Sequence, residues 1–183
     1  MNYYGAKDLA ASFRTVRKNT ITIAEEIGEQ HYGFRATPET RTIAQTLVHI
    51  ALAGKLQEQI HGVEKLTTLD GFDFMGFFQP MLAEEQKSFS KAQILERLTQ
   101  QGEHFAQFLE GLSDNFLGER VGMSHGAAPA SKTRFEMLLG VKEHEMHHRG
   151  QLMLIERMVG VVPHLTRQMQ ERMAQMMNQK AGA

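Results

Sequence analysis

The chain has 183 residues, 42% of them hydrophobic and 22% charged, which suits one domain with a buried core and excludes a fibrous or wholly disordered protein. Its 20 basic and 21 acidic residues are interspersed and leave a net charge of -1, so no basic stripe marks a nucleic-acid partner. Cysteine is absent, which rules out disulfides, thiolate metal sites and a cysteine nucleophile.

From Ala6 to Ile27, the apolar residues Leu9, Phe13, Val16, Ile23 and Ile27 recur mostly at three- and four-residue steps, and Gly28 and Gly33 bracket the end of this first helix. A second helix is expected from Arg41 to Ile60, opened by the capping-box spacing of Thr42 and Gln45 and followed by Gly62. The phenylalanine-rich stretch from Asp70 to Leu82 is punctuated by glycine and proline and reads as a helical turn or loop over one end of the bundle. Ser90 and Gln93 have capping-box spacing again and open a helix to Leu109, with Ile94, Leu98, Phe105 and Phe108 on its apolar side. Gly111 to Ser131, rich in glycine, reads as a long crossing connection. Thr133 and Glu136 start the fourth long helix, which reaches Val159.

Pro163 fits the first turn of a last helix whose stripe of Leu165, Met169, Met173 and Met176 either docks on the bundle or meets a second subunit. No segment alternates like a strand. The expectation is an all-α protein: one domain over residues 1–183, a four-helix bundle with a long crossover connection and an additional C-terminal helix. The N-terminus has no basic stretch leading into an apolar one, and no apolar run approaches the ~18 residues of a membrane span. A cytoplasmic protein without a membrane partner is therefore expected.

Of nine histidines, His144, His147 and His148 fall within five residues. Positions i and i+4 share a helix face, so His144 and His148 point the same way. They also stand in the row Met137, Val141, His144, His148, Gln151, Ile155, the four-three seam that should face the bundle interior. An imidazole buried without a partner costs on the order of 1–3 kcal/mol, and one shared metal ion compensates several rings at once. His49, between Val48 and Ile50 on the stripe of Leu52, Leu56 and Ile60, is the third ligand by the same reasoning. His31, His61, His104, His125 and His164 lie at expected helix ends, in loops or on polar faces. His147 faces away from the seam and has Glu143 as a surface partner, while Glu145 and Arg149 have the order of a surface ion pair. Gln151 is placed to bond a ligand ring.

Three imidazoles leave open positions on a divalent metal, the pattern of a reactive site, and suit zinc, nickel, copper or iron. The run Glu143-His144-Glu145-Met146-His147-His148-Arg149-Gly150-Gln151-Leu152 resembles the signature helix of the DinB/YfiT-like bundle proteins, and Thr42 to Ile50 resembles the segment that carries their first histidine. The resemblance implies a four-helix bundle, often dimeric, with a metal, zinc or nickel foremost, on His49, His144 and His148. It also implies a small-molecule substrate and a low-molecular-weight thiol as cosubstrate, since some members are thiol-dependent transferases and isomerases. His144 to His148 also fits H-E-x-x-H, the zinc-peptidase motif, with Glu145 as base and Glu171 as a third ligand, although Leu154 stands where the extended form needs a histidine. No side chain is named as a catalytic base. The leading expectation is a metal-dependent transferase or hydrolase acting through a thiol or water. A metal-binding stress or sensor protein without turnover is the alternative.

Overall fold

In the computed structural model, which describes residues 4–181, the chain runs through α1 (Ala6–Glu26), α2 (Ile43–Leu52), α3 (Lys55–Glu58), α4 (Phe74–Glu85), α5 (Lys91–Glu110), α6 (Asp114–Gly118), the strands β1 (Arg120–Gly122) and β2 (Ser131–Thr133), α7 (Arg134–Met158) and α8 (His164–Ala181). Local chemistry sets the starts. Thr42, Ser90 and Thr133 each accept the backbone N–H three residues on, and Gln45, Gln93 and Glu136 bond back to the cap's own N–H. Helices α1, α2, α5 and α7 pack as the four-helix bundle, with α4 laid against α2.

Three expectations about elements need correction. The second helix is not continuous to Ile60: α2 stops at Leu52, and α3 and a π turn over Gln59–Val63 follow. At the break, a Cβ on Gly54 would stand 2.8 Å from the Phe105 ring, so the glycine lets the chain lie close to α5. The phenylalanine-rich stretch is a 12-residue helix despite Pro80 inside it. Asp73 caps it, the rings of Phe72, Phe74, Phe77 and Phe78 pack with centroids 4.9–6.4 Å apart, and Phe72 and Phe74 pack against the cluster of Ile60, Val121 and Met137, so packing overrides weak local propensity. The crossing connection holds α6 and a small antiparallel pairing of β1 with β2, each strand three residues long and too short to show alternation.

The core has two main apolar clusters with an ion pair between them. Along α1 the order is Phe13, Arg17, Ile23; along α7 it is Val141, Glu145, Leu152. In each case the charged residue separates the two clusters. Arg17 donates from Nε and Nη2 to the two Glu145 oxygens at 2.9 Å each, and also to the carbonyls of Leu98 (2.8 Å) and Ile50 (3.1 Å). One guanidinium thereby joins all four bundle helices. A Cβ on Gly102 of α5 would lie 2.7 Å from Arg17 Cγ, so glycine keeps that passage open at an intrinsic helix cost of about 1 kcal/mol. Glu145 is thus fully buried and is not the surface partner of Arg149.

The first turn of α8 is held to α1: His164 lies 3.2 Å from Asn19 Oδ1, and Arg167 pairs with Glu26. Beyond it, every residue from Gln168 to Gln179 is exposed. Within the described residues the methionine stripe therefore does not dock on the bundle. Among the described residues no helix is long and apolar enough to cross a membrane.

Candidate metal centre

The three predicted histidines come together. His49 reaches in from the last turn of α2, and His144 and His148 from consecutive turns of α7. Nε2 of His144 lies 3.0 Å from Nε2 of His49 and 3.0 Å from Nε2 of His148. One nitrogen of each ring falls within 4.8 Å of the others, and no second such group of ligating side chains occurs among the described residues.

The outer nitrogens decide which tautomer each ring adopts. Nδ1 of His49 lies 2.6 Å from Glu85 Oε1, a carboxylate oxygen that can only accept, so this nitrogen carries the proton. Nδ1 of His148 lies 2.8 Å from Gln151 Oε1, and the Gln151 amide in turn donates to His147 Nε2 at 3.0 Å. With both Nδ1 atoms protonated, the inner Nε2 atoms of His49 and His148 present lone pairs. Burial, reinforced by the neighbouring imidazoles, holds His144 down to about 4, and burial lowers His148 despite the opposing Gln151 bond. The rings of His144 and His148 are neutral near pH 7, and a proton on His144 Nε2 would satisfy only one of the two nitrogens that face it. A cation at the centre resolves this. Nitrogens bound at 2.0–2.1 Å in tetrahedral array stand roughly 3.3 Å apart, close to the observed separations. The donor set therefore fits a divalent metal.

Glu85, buried at the end of α4, is the centre's second layer: its other oxygen accepts from Arg41 Nε at 2.8 Å. Nothing in the sequence singled it out, because it sits in a polar run, Glu84-Glu85-Gln86, and meets His49 only through the fold. Gln151 takes the place expected of it. His147 is exposed as expected, but its partner is Gln151 and not Glu143. His61 and His164, expected at helix ends or on polar faces, are buried. His61 lies between Arg134 Nη1 (2.9 Å) and Gln57 (2.9 Å), which account for it without a metal.

Two cavities flank the histidines. One of about 280 Å³ has His49 and His144 at one end and apolar walls that include Leu56, Phe78, Met81 and Val141. The other, about 640 Å³, is more polar and runs past Arg41, Thr46, His147, His148 and Gln151 to Leu154. Glu145, the base of an H-E-x-x-H reading, points away from both into its pair with Arg17, and Glu171 is exposed on α8. The peptidase geometry is not assembled.

Among curated proteins none matches the sequence. Two solved structures from Bacillus subtilis share the fold. The DinB-like protein YjoA is 19% identical, with a TM-score of 0.60 over 83% of this chain and 91% of its own. YfiT, described as a probable metal-dependent hydrolase with an unusual four-helix bundle topology, is 14% identical, with a TM-score of 0.64 over 85% and 88%. The family model described as DinB superfamily matches residues 12–152, from within α1 to within α7 and with all three histidines inside, and the chain belongs to that superfamily.

Proposed function

We propose that the protein is a metal-dependent hydrolase or transferase acting on a small molecule whose apolar part enters the 280 Å³ cavity. The observation that carries this reading is the convergence of three imidazole nitrogens, with no fourth ligating side chain among the described residues, at the mouth of an apolar cavity. A zinc or nickel ion held on His49, His144 and His148 supplies Lewis-acid activation of a water or a low-molecular-weight thiol. Glu85 and Gln151 hold the Nδ1 protons and so keep the ligand rings oriented. The walls of Leu56, Phe78 and Met81 exclude water from the substrate's apolar part, and the polar cavity on the other side takes its solvated part or the cosubstrate.

YfiT's description as a probable metal-dependent hydrolase supports the reaction class. A non-catalytic sensor fits less well, since a site that only stores or senses a metal gains nothing from an adjoining apolar cavity.

Elemental analysis of gently purified protein tests the ligand set: wild type is expected to carry one zinc or nickel per chain, and His148→Ala to lose most of it. Equal metal in both sinks the assignment. Turnover of a panel of small esters, amides and alkyl electrophiles, with and without added thiol, then tests the reaction. Absence of any metal-dependent turnover across that panel favours the sensor.

A further inference from the structure

We propose that α8 is an exchanged arm: in a two-fold symmetric dimer its methionine face lies along the exposed apolar face of α7 in a second copy of the chain. Met146, Leu154 and Met158 of α7 are 43%, 61% and 51% exposed. They follow one another at multiples of four residues, with Gly150 between them, and so form a single i±4n ridge. Gly150 has open space where a Cβ would stand, which leaves a low point for a second helix to approach.

Helix α8 carries the matching feature. Leu165, Met169, Met173 and Met177 form another i±4n ridge, and its three methionines are 57–69% exposed. Two such ridges interdigitate at the commonest helix-crossing angle, about -50°. Both stretches are long enough for such a crossing: Met146 to Met158 spans about 18 Å and the exposed stretch 168–179 about 17 Å at 1.5 Å per residue.

Three further observations select the occupant. The exposed stretch of α8 holds only Glu171 and Arg172 as charged residues, a methionine-rich and charge-poor composition typical of interface cores. Twelve residues exposed on all sides are too few for a helix that stands in water on its own, so α8 needs a covering surface. Arg172 flanks Met173, and the exposed Glu143, three residues before Met146, lies beside the start of the α7 ridge; neither has an ion-pair partner among the described residues, and their charges are opposite.

The chain's own α7 is a poor partner. Bonds from His164 to Asn19 and from Arg167 to Glu26 tie the root of α8 to α1, and Gly160 turns the chain there with φ 86°. A second copy related by a two-fold axis satisfies both ridges at once. Leu154 also lines the polar cavity beside His148, so the arriving helix completes a wall of the metal centre's outer chamber.

Sedimentation velocity of the full chain at micromolar concentration is expected to give twice 20.7 kDa. Leu154→Glu and Met173→Glu, both at exposed positions, are each expected to give monomer with unchanged helical circular dichroism. Because the chain has no cysteine, mixed oxidation offers a direct second readout. Chains carrying Leu154→Cys, mixed with chains carrying Met173→Cys, are expected to form the mixed disulfide several-fold over either self-linked product. A monomeric wild type overturns the proposal. So does a dimer in which Met173→Cys links mainly to itself, or a disulfide forming within a single chain that carries both substitutions.

Discussion

Replacing Arg17 with methionine is the sharpest test of how the bundle is held together. The guanidinium, only 6% exposed, makes three bonds of 2.9–3.1 Å to Glu145 and one each to the Leu98 and Ile50 carbonyls. Methionine preserves the packing of the stem against Gly102 but leaves a carboxylate with 1% side-chain exposure and no counter-charge. Breaking one partner out of a buried pair costs about 3–5 kcal/mol. In a chain of this size that corresponds to a melting temperature lower by about 6–20 °C. Urea denaturation followed by circular dichroism measures the loss directly. The double substitution Arg17→Met, Glu145→Leu removes both charges and is expected to recover most of it, since apolar replacement of a whole buried pair is often neutral or stabilising. A single variant that loses less than about 1 kcal/mol, or a double variant no better than the single, refutes the argument.

Other outcomes follow from the same contacts. Glu85→Gln keeps the shape but weakens the acceptor on His49 Nδ1, and metal affinity measured by competition with a chelator is expected to fall about 10–100-fold. Gly102→Ala forces a Cβ to within 2.7 Å of Arg17 Cγ, so stability is expected to drop by about 1–3 kcal/mol although alanine is the better helix former. Glu156 is fully buried with both carboxylate oxygens unbonded, and burial first, then the nearby Glu26, raises it from 4.5 to about 7. Its folded form binds the proton more tightly than its unfolded form, so this contribution is full below pH 4.5 and is lost as pH rises through 7. Glu156→Gln is accordingly expected to be more stable than wild type at pH 8, by up to roughly 3 kcal/mol, with the gap closing toward pH 4.5; a gap independent of pH contradicts the assignment.

The parts legible in the sequence are those written within a few residues of one another. The capping boxes at Thr42, Ser90 and Thr133 needed only a partner three positions away, and the helix starts fell where those pairs stood. The histidines were legible for a different reason: each is a polar ring on a stripe that is otherwise apolar, and only a shared demand inside the bundle explains all three. Arg17 and Glu85 carried no such signal. Arg17 stands among Arg14, Thr15, Lys18 and Asn19, and its burial is decided by a glutamate 128 positions away. Glu145 misled for the same reason, because Arg149 offered a nearer partner that the fold does not use. Helix α4 was hidden by glycine and proline, whose local cost is outweighed by phenylalanine rings meeting across the turn.

The ion pair and the metal centre are adjacent, and that adjacency explains why a bundle would keep a buried charge. Ile50, whose carbonyl Arg17 grips, follows His49; Glu145, which Arg17 neutralises, follows His144. Each ligand helix is therefore pinned one residue from its histidine by the same guanidinium. A purely apolar layer at this level would hold the helices together but leave their rotation and axial register to packing alone, and a rotation of a few tens of degrees would carry an imidazole out of reach. Directional bonds at 2.8–3.1 Å restrict both. The tautomers add a second layer of restraint, since Glu85 from α4 and Gln151 from α7 fix the rings from their outer edges. On this account the three nitrogens are placed by contacts formed without the ion, so the lone pairs converge before any cation arrives, and the cost of that convergence is set against metal binding and not against folding alone.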